Sequence, residues 1–217
     1  MEKNTYPGKF VVFEGIDGSG HSTQVDLLKN FLIEKGYNVV ATKEPTLEFE
    51  TGKEIKRVLD GEIKVSLKEL QELFVKDRGE HLENIIIPSL KEGKIVISDR
   101  YFFSTLAYGA SGGLDLEWLI NLNNDYLYPD ITFLLKVDPE ICIDRIIKRG
   151  DKISIFEKKE KLEAIWEVYK ILPKRFKDIH VIDGEGSIEK VFEDIKNIII
   201  RQLAEKNYDE VQQKKCR

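Results

Sequence analysis

Cysteine is scarce in this chain: of 217 residues only Cys142 and Cys216 carry a thiol. One sits within a helical pattern and the other in the tail, so there is neither a disulfide framework nor metal-ligand spacing, and a reducing compartment is expected. Long apolar runs are absent as well. No segment reaches the roughly 18 consecutive apolar residues of a membrane span, and Met1 to Lys9 is polar where a signal peptide would be apolar. A cytoplasmic protein without a membrane partner is expected. Positive charge is not in excess. The 34 Lys and Arg against 39 Asp and Glu leave a net charge of -5, which excludes the basic field that draws a protein onto nucleic acid or an anionic lipid surface. The expected partner is a small molecule. Internal repeats and low-complexity segments are lacking too, and the length suits one α/β core. Residues 1–217 therefore read as a single domain, with its core at about 9–207 and a polar, frayed tail over 208–217.

What the chain does have is alternation. Short apolar runs at Phe10 to Phe13, Asn38 to Ala41, Lys94 to Ser98, Ile131 to Val137 and His180 to Ile182 read as buried strands. Between them, amphipathic periodicity predicts helices over Thr23 to Lys35, Lys53 to Leu59, Leu67 to Lys91, Leu116 to Leu122, Pro139 to Lys148, Lys158 to Phe176 and Ile188 to Glu205. Gly36 and Gly93 read as helix stops. Strand alternating with helix predicts an α/β fold with a doubly wound, five-stranded parallel sheet flanked by helices. Right-handed crossovers bring the strand ends to a shared crevice, where ligands of such folds bind. Functional residues are therefore sought directly after strands.

The first such position carries the strongest signal. Phe10-Val-Val-Phe-Glu-Gly15-Ile-Asp-Gly-Ser-Gly20-His21-Ser22-Thr23 joins a strand, a glycine loop and a helix start. The phosphate-binding pattern is Gly, four residues, Gly, Lys, then Ser or Thr. Gly15, Gly20 and Ser22 fit it, and His21 stands in the lysine's place. The glycines let the backbone of Gly15, Ile16, Asp17, Gly18, Ser19, Gly20, His21, Ser22 and Thr23 turn its N–H groups around a phosphate chain at a helix N-terminus. Ser22 offers a hydroxyl to Mg²⁺. A loop lysine would reach the outer phosphates. His21 is shorter and only partly charged at neutral pH, although a neighbouring triphosphate would favour its protonated form. A glycine turn without a ligand is the plainer alternative.

Other constellations lie at or near the remaining strand ends. Thr42-Lys43-Glu44-Pro45-Thr46 is a charged turn at the ligand edge, equally readable as an exposed loop. Phe74, Arg78 and His81 share one helix face. That face would stack a flat base on Phe74 and offer Arg78 to a carbonyl oxygen, or else set a core ring beside a surface ion pair; His81 reads as structural. Asp99 and Arg100 close a buried strand, where Asp99 would organise Mg²⁺ through water and Arg100 would hold an acceptor phosphate; a strand-end salt bridge is the alternative. Tyr108, on a helix beginning near Ser104, would cover the same ligand. Arg145, Lys148, Arg149 and Lys152 cluster about Gly150 as a basic lid over about 145–156, or as a solvated helix C-terminus.

Together, Phe13-Glu14-Gly15-Ile16-Asp17-Gly18-Ser19-Gly20, Thr42-Lys43-Glu44-Pro45, Phe74 through Arg78, Asp99-Arg100-Tyr101 with Ala107-Tyr108, and Pro129-Asp130 resemble the thymidylate kinase family of P-loop nucleoside monophosphate kinases, from about Phe10 to Asp183. The resemblance implies transfer of the γ-phosphoryl group of ATP to dTMP with Mg²⁺ in a homodimer, with His21, Asp99, Arg100 and Arg149 as the catalytic candidates. It implies that Asp17 contacts the sugar 3′-hydroxyl, Phe74 stacks on thymine, Arg78 reads the base carbonyl and Arg100 holds the acceptor phosphate. Tyr108 would lie near the deoxyribose, Glu44 in the family's Arg-Glu-Pro turn and Arg145 against adenine, with Ser22 and Asp99 serving the metal. The chain departs from the family at His21 for lysine, Lys43 for arginine, Gly109 for a common glutamine, and Ser154-Ile155 for Asp-Arg before Phe156-Glu157. Lys148, Arg149 or Lys152 would then compensate for the lid arginine. These departures keep two other readings open: a nucleotide-binding protein with weak or no kinase activity, and a kinase with a changed nucleoside monophosphate acceptor.

Overall fold

The most apolar runs form the strands β1 (Lys9–Glu14), β2 (Val39–Lys43), β3 (Ile95–Asp99), β4 (Ile131–Lys136) and β5 (Ile179–Asp183) in the computed structural model, which describes residues 1–150 and 159–215. They form one sheet in the order β2-β3-β1-β4-β5, every pair parallel. The helices are α1 (His21–Glu34), α2 (Glu50–Leu59), α3 (Leu67–His81), α4 (Ile87–Lys91), α5 (Phe102–Ser111), α6 (Leu116–Leu122), α7 (Pro139–Arg149), α8 (Lys159–Arg175) and α9 (Ile188–Lys215). The expected doubly wound α/β fold is what the chain adopts.

Side-chain alternation along β1 builds both cores. Phe10 and Val12 join Val96 and Leu134 under α5, α7 and α8, while Val11 and Phe13 join Ile97, Phe133 and Leu135 under α1 and α9. Burial of each such side chain stabilises by roughly 1.5–3 kcal/mol. A smaller cluster of Ile55, Val58 and Leu70 joins α2 to α3. β1 sits between β3 and β4, where the order of the sheet reverses, so the loop after β1 emerges into the crevice at this switch point. Register sets Asp99 beside Phe13 on one side and Lys43 on the other. Asp130, from the Pro129-Asp130 motif, anchors the N-terminal segment by accepting from the Phe10 amide at 2.7 Å and from Asn4 at 2.6 Å.

Several boundaries differ from expectation. The pattern from Leu67 to Lys91 is not one helix: Leu82–Ile86 forms a π-helical turn between α3 and α4. Pro88 has no N–H and its ring would crowd the Asn84 carbonyl, a conflict that a wider turn relieves. Asp99 belongs to β3, which holds its backbone in the ladder. α1 starts at His21, α2 at Glu50 and α5 at Phe102, each earlier than periodicity places it. α9 continues past Glu205 to Lys215, since no glycine or proline interrupts it there. Among the described residues no helix is long and apolar enough to cross a membrane.

Candidate active site

The loop after β1 is shaped by glycine where no other residue would serve. Gly18 (φ +85°) and Gly20 (φ +93°) are left-handed, and a Cβ on Gly18 would lie 2.4 Å from the Cys142 carbonyl oxygen of α7. The turn at Gly20 ends the loop and starts α1 at His21, so the free amides of the first helical turn point into the crevice. Arg145 of α7 ties the loop to the turn after β5, donating to the Ser19 carbonyl at 3.3 Å and to the Gly184 carbonyl at 3.0 Å. Beside this tie lies a cavity of about 340 Å³ lined by Gly18, Gly20, Thr23, Arg145 and Lys148.

At the start of α1 the polar side chains form a closed network. His21 Nδ1 lies 2.5 Å from Asp99 Oδ1, and Ser22 Oγ donates to Asp99 Oδ2 at 2.6 Å. His21 Nε2 faces Arg100 Nη2 at 3.0 Å. A guanidinium can only donate, so Arg100 is the donor in its contact with Nε2, while Nδ1 meets the Asp99 carboxylate. His21 thus bridges Asp99 and Arg100. Burial alone would raise the Asp99 carboxyl, but His21, Ser22 and Arg100 hold it well below the usual carboxylate range. Arg100 also donates to Asp17 Oδ1 at 2.6 Å, the Gly15 carbonyl at 2.9 Å and Ser104 Oγ at 3.1 Å. Tyr108 donates to Asp17 Oδ2 at 3.0 Å and stacks beneath the Arg100 guanidinium at 5.3 Å. Ser22 and Asp99 form an all-oxygen pair at the loop mouth, the donor chemistry that suits a hard divalent cation.

Glu14, the last residue of β1, lies under this network. Its carboxylate accepts from the Tyr101 amide at 2.9 Å, Ser104 Oγ at 2.7 Å and Tyr169 at 2.8 Å. Burial pushes its carboxyl up, with Arg100 opposing.

A second cavity, about 250 Å³, opens on the other side of Arg100 and is lined by Asp17, Lys43, Glu44, Gln71, Phe74, Arg78, Tyr101 and Tyr108. α3 presents Gln71, Phe74 and Arg78 to it along one face. Arg78 is 1 % exposed and donates to Glu44 Oε2 at 2.6 Å, Asn123 Oδ1 at 2.6 Å and Thr105 Oγ1 at 3.1 Å, with Nε left unpartnered. The expected surface ion pair is thus a buried one, and Arg78 lies over the Tyr101 ring at 5.2 Å. His81 is structural, between Thr42 Oγ1 at 2.7 Å and Glu44 at 3.3 Å.

A third space of about 190 Å³ adjoins both cavities. It shares Asp17, Lys43, Glu44 and Arg100 with one, and Gly18, Gly20 and Thr23 with the other, and His21, Ser22 and Asp99 complete its lining. Two phosphate-bearing ligands could therefore meet end to end at Ser22, Asp99 and Arg100. The side chain of Arg149, and the lid positions 151–156, lie outside the described residues. Gln71 is the site residue that sequence reading misses; its signal is the spacing to Phe74 and Arg78, three and seven positions on, which repeats one helix face.

Comparison with known proteins fits this geometry. A family model described as thymidylate kinase matches residues 13–195. The probable thymidylate kinase of Thermococcus onnurineus is 41% identical over 203 residues, 89% of this chain and 98% of the relative. That of Pyrococcus horikoshii is 41% identical over 203 residues, covering 90% and 98%. The thymidylate kinase of Desulfotalea psychrophila is 40% identical over 190 residues, covering 87% and 93%.

Proposed function

This chain belongs to the thymidylate kinase family, and from that premise we propose that it transfers the γ-phosphoryl group of ATP to dTMP, giving dTDP and ADP. The observation that carries the reading is the run of joined cavities, one beside the glycine loop and one walled by Phe74, Arg78 and Tyr108, which share the space at Arg100. The loop amides from Gly15 to Thr23 and the start of α1 hold the ATP phosphates, with Arg145 near the adenine. Phe74 takes the thymine ring, Arg78 a base carbonyl, and Asp17 with Tyr108 the deoxyribose. Arg100 holds the acceptor phosphate, exchanging its His21 and Asp17 partners for phosphate oxygens. Mg²⁺, for which Ser22 and Asp99 are the fitting ligands, neutralises phosphate charge when bound. Catalysis is then positioning plus charge.

Besides Arg100, the lining of the shared space holds a second permanent cation, Lys43. It is exposed, ends β2 and lines both the shared space and the acceptor cavity. We extend the proposal to Lys43 as the supplier of the charge that a loop lysine provides elsewhere, with Arg149 of the lid adding to it. The family resemblance supports a homodimer, and the sparse, unpaired spacing of Cys142 and Cys216 supports a reducing, cytoplasmic setting.

The test is chromatographic detection of dTDP with ATP and Mg²⁺ for wild type, Lys43→Met, and Lys43→Met combined with His21→Lys. Wild type should turn over dTMP, Lys43→Met should lose on the order of 10² in kcat, and the added lysine should restore part of that loss. A silent wild type that still binds both nucleotides by calorimetry would mark a binding protein instead, and turnover of another nucleoside monophosphate in preference to dTMP would mark a changed acceptor.

A further inference from the structure

The face of α3 in the acceptor cavity carries one polar side chain that the protein leaves wholly unpaired. Gln71 is 1 % exposed, and neither its Oε1 nor its Nε2 has a hydrogen-bond partner. Leaving a buried amide in that condition is costly, so its presence in a cavity wall points to a ligand that pairs both atoms. Gln71 is one helical turn from Phe74 and two from Arg78, and all three line the same cavity. Its stem is seated against Gly109 of α5. A Cβ at Gly109 would come 3.3 Å from Gln71 Cγ and 2.8 Å and 2.9 Å from the two Leu119 methyl carbons. Glycine at this position thus makes the room in which the amide lies.

We propose that Gln71 reads the hydrogen-bonding edge of the acceptor base, with Oε1 accepting from N3–H and Nε2 donating to a flanking carbonyl of a keto pyrimidine; this rests on the reading of that cavity as the acceptor site. An amide alone cannot choose between bases, because turning it over exchanges donor and acceptor. Arg78 removes that freedom. Its guanidinium presents only donors, and its Nε is the other unpartnered buried atom of this wall. A base beside it must offer a carbonyl there, as thymine and uracil do at O4, and not the exocyclic amine of cytosine. With that carbonyl fixed, the neighbouring ring nitrogen carries hydrogen in thymine and a lone pair in cytosine. Gln71 must then present its carbonyl oxygen, and cytosine would set its N3 lone pair against that oxygen and its amine against the Arg78 Nε–H, leaving all four groups unpaired. Such mismatches are what allow a hydrogen-bonding site to reject an analogue strongly.

The test measures binding by calorimetry and kcat/KM with ATP for dTMP, dCMP and N3-methyl-dTMP, using wild type and Gln71→Met, a variant of similar volume without hydrogen-bonding groups. Wild type should bind dTMP at least tenfold more tightly than N3-methyl-dTMP. In Gln71→Met that ratio should fall toward one and the dTMP-over-dCMP ratio in kcat/KM should drop at least tenfold, while the KM for ATP stays within about twofold. A residue that merely supports the helix would lower stability and leave both ratios in place, so retained ratios in a folded Gln71→Met overturn the assignment. Equal binding of dTMP and N3-methyl-dTMP by wild type overturns it without any variant. Wild type that binds no dTMP at all removes the acceptor reading and this assignment with it, and is distinguishable because the other outcomes require dTMP to bind.

Discussion

Arg100 adopts a left-handed backbone, φ +72°, at a cost of about 1–2 kcal/mol for a non-glycine residue. Strain of this kind persists where neighbours over-determine it, and here Gly15, Asp17, His21 and Ser104 all fix the guanidinium. The His21 bridge passes this order on to Asp99, whose carboxyl is held well below its ordinary value. A carboxyl depressed in the folded state adds stability that is complete above its unfolded value, near 4, and is lost as pH falls through the folded value. Asp99→Asn should therefore destabilise by on the order of 2 kcal/mol at pH 7. Urea unfolding of both proteins should show that difference unchanged down to about pH 5 and shrinking below about pH 4. A difference that grew on acidification would contradict the assigned network.

At the level of elements, the phosphate loop depends on the helix packed against it. Gly18 meets the backbone of α7 at Cys142 so closely that no side chain fits between them. Cys142 itself is fully buried, and burial pushes its thiol up to about 12, so it acts as packing and not as a nucleophile. Gly18→Ala would combine a strained φ with a clash against backbone and drive the loop from α7. We expect the KM for ATP to rise at least tenfold and dTMP affinity by calorimetry to fall less, because Phe74, Arg78 and Tyr108 stand on α3 and α5 while Asp17 is the one acceptor-cavity residue carried by the displaced loop. Equal loss for both nucleotides would mean that loop and acceptor wall move as one. α3 ends before the π-helical turn Leu82–Ile86, whose wider winding relieves the conflict that Pro88 would create in a regular helix.

Across the whole molecule, the strand β1 contributes to both cores, through Phe10 and Val12 on one face and Val11 and Phe13 on the other. Neither core can be lost without opening the sheet beneath the other, so the chain should unfold as one domain. Tryptophan fluorescence reports the face that carries Trp118 and Trp166, and far-UV circular dichroism reports every helix, α1 and α9 included. The two urea transitions should coincide, and separated midpoints would show the faces to be independent units. The sequence by itself determined the five strands of the sheet and the approximate course of most helices, that the sheet is parallel, and where its ligand edge lies, because apolar periodicity and glycine spacing are local properties of the chain. It likewise placed Asp17, Asp99, Arg100, Phe74 and Arg78 at that edge, since each stands near a strand end or on a helix face of fixed period. Only the tertiary structure decided that His21 bridges Asp99 and Arg100, that Arg78 is buried against Glu44, and that Gln71 lies unpaired beside Gly109. Those properties depend on which distant residues meet, and a partner supplied from 27 to 79 positions away leaves no local pattern in the chain.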